Sequence, residues 1–261
     1  MRSPRRATSI QGPVDTEKLE ALTSRFYEAV AEPKLWRLVL RDLADTLNAD
    51  GAAIFSNPAA PGPGIHCSER TEELVDWIIR QGPELINPRP ERALRRCPPG
   101  KVVTESELFS EWELKNLPFN VGMAEEVGLR WDAGGHVGQV AGQPVFLTVQ
   151  RDANRERFST SEVEVLEAVL PDVRQAAILS VALAMSKAQG MLQGFEYAGL
   201  GAILLDFRGR MIASNPSAAS LLGDGLQVEG GQVTASHRGA DQELQHHRPR
   251  QAFPWADDLR G

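Results

Sequence analysis

From Ser159 to Gln193 apolar side chains recur every three or four residues, which commits this stretch to one long helix. Ser159 and Glu162 form an S-x-x-E capping box at its start, where each side chain satisfies a backbone donor that the helix would leave orphaned. Val163, Leu166, Leu170, Val173, Ala177 and Ala184 lie along one seam, and Val165, Val169, Ala176, Leu179 and Leu183 widen it. A stripe that broad can cover a sheet on one side and a partner helix on the other. Leu166, Leu170, Val173 and Ala177 are therefore the expected dimerisation contacts. Pro171 lacks a backbone donor and is expected to bend the helix in its first third.

Ahead of this rod the pattern alternates between helix and strand. Helical spacing runs from Thr16 to Leu47, broken at Pro33, and Asn48-Ala49-Asp50-Gly51 supplies a turn into a short strand over Ala52 to Phe55. The proline- and glycine-rich run 57–64 reads as a loop, Thr71 to Gln81 as a helix, and Leu85 to Arg96 as its continuation past Gly82-Pro83. Strands are expected at Val102-Val103, Leu129 to Val140 and Val145 to Gln150. Between them come acidic helices over Glu105 to Leu114 and Val121 to Glu126. An α+β fold follows, with an antiparallel sheet flanked by helices. Glu105, Glu107, Glu111 and Glu113 read as the wet face of a helix.

Beyond the rod, residues 201–234 read as two short strands around Asp206-Phe207-Arg208-Gly209, then a helix opened by Ser214-Asn215-Pro216. Gly223 and Gly225 stop that helix, and a hairpin around Gly230-Gly231 follows. That order resembles the opening of a PAS-like fold. A complete domain of that type takes roughly 100 residues, so the segment is expected to be incomplete. Periodicity is lost after Leu244, and Pro249 and Pro254 stand among mixed charges. The expected organisation is a disordered basic N-terminus (1–15), a GAF-like sensor domain (16–158), a connecting helix (159–198), a partial PAS-like unit (199–236) and a disordered tail (237–261).

Other classes are excluded by composition or lack their motifs. The net charge is −7 and the basic residues are scattered, so this chain alone is not expected to grip DNA, where phosphate neutralisation supplies much of the affinity. Cys67 and Cys97 are far apart and read as buried free thiols. No nucleophile elbow, zinc-protease helix or phosphate loop occurs. His66 beside Cys67 is a poor chelate, so no metal is expected. The N-terminus lacks the apolar core of a secretory signal, and the apolar run Ala176 to Met185 reads as a buried helix face rather than a membrane span. A cytoplasmic location is expected.

The whole arrangement resembles bacterial LuxR-type helix-turn-helix transcriptional regulators, whose N-terminal half is a GAF-like or PAS-like sensor. The resemblance rests on Pro33-x-Leu35-Trp36, the strand at Gly51 to Phe55, the strand Phe146 to Arg151, and the entry Arg157-Phe158-Ser159. It continues through Leu170-Pro171-Asp172-Val173-Arg174, Leu204-Leu205-Asp206-x-Arg208-Gly209-Arg210, Asn215-Pro216 and Asp224-Gly225-Leu226. It implies a non-enzymatic, ligand-binding and dimerising region that pairs as a homodimer or as a heterodimer with a full-length regulator. The DNA-binding module that the family carries at its C-terminus has no counterpart in the pattern, so the chain reads as truncated before it. A small-molecule pocket lined by Trp112, Phe119, Met123, Trp131 and His136 is the expected site. Large aromatics also fill cores, and the sequence leaves that alternative open. So do two others, a small-molecule enzyme on an α+β scaffold and an inert pseudogene-like fragment. No cofactor is identified.

Overall fold

The computed structural model describes residues 16–56, 65–82, 84–205, 210–223 and 225–246. The expected basic N-terminus, the 57–64 loop, the 206–209 turn and the tail after 246 lie outside the described residues. The chain opens with α1 (Thr16–Ala31) and α2 (Trp36–Thr46), separated by a 3-10 turn at Pro33–Leu35, because proline cannot donate to a continuing helix. Asn48 takes a left-handed conformation (φ 50°) and turns the chain into β1 (Gly51–Ser56). Then come β2 (Ile65–Cys67), α3 (Glu69–Gln81), α4 (Arg89–Arg96), β3 (Val102–Thr104), α5 (Glu105–Leu108), α6 (Glu111–Asn116) and α7 (Pro118–Gly122). A π-helical turn over Met123–Val127 leads into β4 (Leu129–Val140), β5 (Gln143–Asp152) and α8 (Thr160–Tyr197).

The five strands form one sheet in the order β2-β1-β5-β4-β3, antiparallel at every pairing. This is the mixed α+β architecture that the sequence pattern predicts. One helix was expected over Glu105 to Leu114, and two form. Glu107 accepts from the Thr104 amide at 2.8 Å and Glu113 from the Ser110 amide at 2.9 Å, so two reciprocal caps restart the helix at Ser110. Glu107 and Glu111 are exposed and Glu113 half-exposed, as expected of a solvated face, and Glu105 is the exception. Glu107 and Glu113 serve as caps, and Glu105 is buried, accepting the Asp132 amide at 3.2 Å.

Period-two alternation gives the sheet two apolar faces. Val145, Leu147 and Val149 of β5 join Ala52 and Ile54 of β1 beneath α1, α2 and α8, in a core with Phe26, Trp36 and Leu40. A Cβ on Gly135 would lie 2.6 Å from Leu170 Cδ2, so this glycine is what allows α8 to lie close against β4. Leu166, Leu170, Val173 and Ala177 are all buried within this core. Their expected role at a dimer interface is corrected by this packing, since the chain's own sheet already covers them. The later half of α8 is different: Ile178, Leu179, Met191 and Phe195 are exposed. By length and composition alone the whole of α8 is long and apolar enough to cross a membrane, although its residues up to Ala177 pack into the core.

A buried arginine locks the entry to α8. Arg151, at the end of β5, donates to the carbonyls of Asn48 (3.1 Å), Leu47 (2.6 Å), Glu156 (3.3 Å) and Arg157 (3.2 Å). It also pairs with Glu162 and stacks on Phe158 at 4.0 Å. Burial works against the Glu162 carboxyl, yet Arg151 and the Ser159 donors hold it below the usual carboxylate range. One guanidinium thus ties the end of α2, the sheet and the start of the long helix together.

After α8 come β6 (Ile203–Leu205), β7 (Met211–Ser214), α9 (Pro216–Ala219), β8 (Leu226–Glu229), β9 (Gln232–Ala235) and α10 (Arg238–His246). The strands pair as two separate hairpins. Asn215 Oδ1 accepts from Ala218 at 2.9 Å, the expected N-cap, and also from Ala202 at 2.9 Å. Glu196 of α8 accepts from the Ser217 amide at 2.9 Å, fixing this segment to the rod. Residues 238–246, assigned to a tail from the sequence, form α10 instead. Asp241 accepts the Ala235 amide at 3.0 Å, a link between helix and strand that periodicity does not reveal.

Candidate functional site: a cavity under the second face of the sheet

The opposite face of the sheet carries Phe55 of β1, Phe146, Thr148 and Gln150 of β5, and Asp132 and Gly134 of β4, and these form the floor of a cavity. Its volume is about 100 Å³. Leu74 and Ile78 of α3, Arg89 and Ala93 of α4, Phe119 of α7 and Met123 of the π-helical turn form its roof and sides. Most of this lining is apolar. Gly134 keeps the floor low, because a Cβ there would meet Thr148 Cγ2 at 3.3 Å.

A string of polar groups crosses the floor. Thr71 Oγ1 donates to Gln150 Oε1 at 2.8 Å, while Gln150 Nε2 donates to Thr148 Oγ1 at 2.6 Å and to Asp132 Oδ2 at 3.2 Å. These contacts use both Nε2 hydrogens of Gln150 and engage its Oε1. Burial pushes the Asp132 carboxyl up to about 6, against the pull of Arg89 and Gln150 and with a push from Glu105. A carboxyl so placed changes charge near neutrality.

Two arginines one turn apart on α4 behave differently. Arg92 donates to Glu113 at 2.6 Å and to the Leu108 carbonyl at 2.9 Å, and stacks on Phe109 at 4.5 Å. It pins α4 to α5 and α6, and with the Ser110 donors it holds Glu113 down at about 2. Arg89 is sandwiched between Phe109 at 5.2 Å and Phe119 at 5.1 Å. Its Nε and Nη1 are buried without a hydrogen-bond partner. Burial lowers its affinity for a proton, with Asp132 and then Glu105 opposing.

Of the five residues assigned to a pocket from the sequence, the structure brings Phe119 and Met123 together in the cavity wall. Trp112 is on the surface of α6, 67% exposed. Trp131 packs on the other face of the sheet, where its Nε1 donates to the Arg155 carbonyl at 2.6 Å and Arg157 stacks on it at 4.8 Å. His136 is on the cavity face of β4 but beyond Phe146, which it stacks on at 5.0 Å, with Nδ1 3.1 Å from the Cys97 carbonyl. Sequence reasoning missed Arg89, Asp132, Gln150 and Thr148. The signal available was the alternation of β5, where Thr148 and Gln150 interrupt an otherwise apolar face.

Several solved structures are similar to this chain. The chain is similar to the ligand-binding domain of VqsR from Pseudomonas aeruginosa, with a TM-score of 0.44 and 20% identity over 66% of this chain and 98% of that one. It is also similar to CepR2 from Burkholderia cenocepacia, an N-acylhomoserine lactone dependent LuxR-family transcription factor (TM-score 0.42, 14% identity, 66% and 99% covered). A GAF domain of a phosphoenolpyruvate-protein phosphotransferase from Coxiella burnetii gives a TM-score of 0.33 at 12% identity, with 68% and 99% covered. No protein-family model and no curated protein matches the chain.

The thiols offer no reactive centre. Burial, with help from Glu72 and Asp76, pushes Cys67 up to about 12, and burial also raises Cys97, so both remain protonated at neutral pH. Among the described residues no group of three or more His, Cys, Asp or Glu is placed to hold a metal ion.

Proposed function

We propose that this chain is the sensory region of a regulator of the LuxR type, binding a small amphipathic molecule between its sheet and α3–α7. The carrying observation is the cavity itself: an apolar enclosure whose floor presents a short polar string and whose wall holds a guanidinium short of acceptors. Such an arrangement holds the apolar body of a ligand by burial and orients its polar end by a few hydrogen bonds. The cavity's thiol is protonated and its carboxyl has no adjacent nucleophile among the described residues, which supports binding rather than turnover.

In this reading the chain works in the cytoplasm, pairs with a second copy or with a longer relative, and makes no DNA contact of its own. The exposed apolar residues on the later half of α8 support the pairing. Occupancy of the cavity is coupled to the partner through α8, whose first half covers the sheet that forms the cavity floor. Thermal-shift screening of the full chain against a metabolite collection tests the proposal. A ligand that raises the melting temperature and is recovered unchanged supports it, whereas product formation, or no stabilising compound together with no uptake of an apolar fluorescent dye, removes it.

A further inference from the structure

We propose that the ligand of this cavity carries a carboxylate, and that Arg89 binds it. The inference rests on the reading of the cavity as a ligand pocket and assigns the chemical class of what enters it. Arg89 is a wall residue of the cavity, and its Nε and Nη1 have no acceptor. Arg92, one turn along the same helix and against the same Phe109 ring, has a carboxylate and a carbonyl. The fold therefore can satisfy an arginine at this place, and leaves Arg89 unsatisfied.

Stacking between Phe109 and Phe119 holds the guanidinium plane but provides no acceptor in that plane. No ion pair joins Arg89 to Asp132 or Glu105 among the described residues, although both lie near enough to influence its charge. An acceptor delivered through the cavity would complete it, and the planar fork of arginine matches the two oxygens of a carboxylate. A dianion fits less well, because Asp132 and Glu105 already place negative charge near Arg89, and the other nearby cation, Arg157, is engaged by Glu105 and Glu111. The rest of the lining asks for an aliphatic or aryl body.

The test uses the full chain, its Arg89→Met and Arg89→Lys variants, and calorimetric titration with octanoate and 4-phenylbutyrate, each set against its primary amide. Arg89→Met removes a desolvated charge while keeping the stem length, so its urea midpoint should be no lower than that of the parent. The acids should bind the parent about 10- to 100-fold more tightly than the amides, the range expected for a charge-assisted hydrogen bond. Arg89→Met should erase that preference with amide affinity unchanged, and Arg89→Lys should keep part of it. Equal affinity for acid and amide, or a preference that survives Arg89→Met, overturns the carboxylate and leaves the pocket standing. Uptake of an apolar dye without binding of either acid does the same. Failure of acids, amides and dye alike removes the pocket reading itself.

Discussion

Asp132 gives the cavity a measurable pH signature. Its carboxyl moves from an ordinary 3.8 to about 6 on folding, chiefly through burial. A carboxyl whose value is raised in the folded state contributes stability that is complete below its unfolded value and is lost as pH rises through the folded one. The window is therefore about pH 4 to 6. The full loss corresponds to about 3 kcal/mol, of which about 2 kcal/mol falls between pH 4.5 and 7.5. Asp132→Asn keeps an acceptor for Gln150 Nε2 but cannot ionise, so it should not show that loss. The attraction of the ionised carboxylate to Arg89 is already contained in that folded value, so the linkage covers its pH dependence. The slope of the difference thus isolates Asp132. Urea unfolding of both proteins at half-unit pH steps should show the variant gaining on the parent by about 2 kcal/mol from pH 4.5 to 7.5. For a domain of 150–250 residues that equals roughly 4–8 °C in melting temperature. Parallel curves for the two proteins would refute the reasoning, because the carboxyl would then titrate alike in folded and unfolded chains.

Arg151→Ala should cost about 3–5 kcal/mol in urea unfolding, the usual penalty for stranding the partner of a buried ion pair. A loss under 1 kcal/mol would show that the carbonyls of Leu47 and Asn48 and the Glu162 carboxylate find water instead. Val173→Asp should abolish soluble folded protein, since Val173 is fully buried beneath the sheet. By contrast Met191→Glu with Phe195→Glu should leave far-UV circular dichroism unchanged and convert any dimer seen by sedimentation velocity into monomer. A folded Val173→Asp monomer would return the interface to the first half of α8.

Much of the layer architecture was legible because its signals are local. The Ser159–Glu162 capping box, the Pro33 break, and the strands over Leu129 to Val140 and Val145 to Gln150 follow from hydrogen-bond supply and side-chain period, both of which act within a few residues. The split at Ser110 was also written locally, as two successive caps, Thr104–Glu107 and Ser110–Glu113, but the acidic spacing disguised them as one continuous helix. The site was less legible. Phe119 and Met123 line the cavity, but Trp112 and Trp131, equally apolar in sequence, are placed in solvent and on the far face of the sheet, because a residue's face depends on register and on the bulges in β4.

The amino-acid order by itself determined most of the helices and strands of the first 200 residues, the antiparallel α+β class and the apolar stripe of α8, since each depends on contacts between near neighbours along the chain. Tertiary packing alone decided which side of that stripe was consumed. Gly135 lets α8 settle on the sheet, so Leu166, Leu170, Val173 and Ala177 are buried in their own domain. It also decided that Arg89, Asp132 and Gln150, drawn from α4, β4 and β5, share one cavity. The proton affinities of Arg89 and Asp132 shift there chiefly because distant segments jointly exclude water.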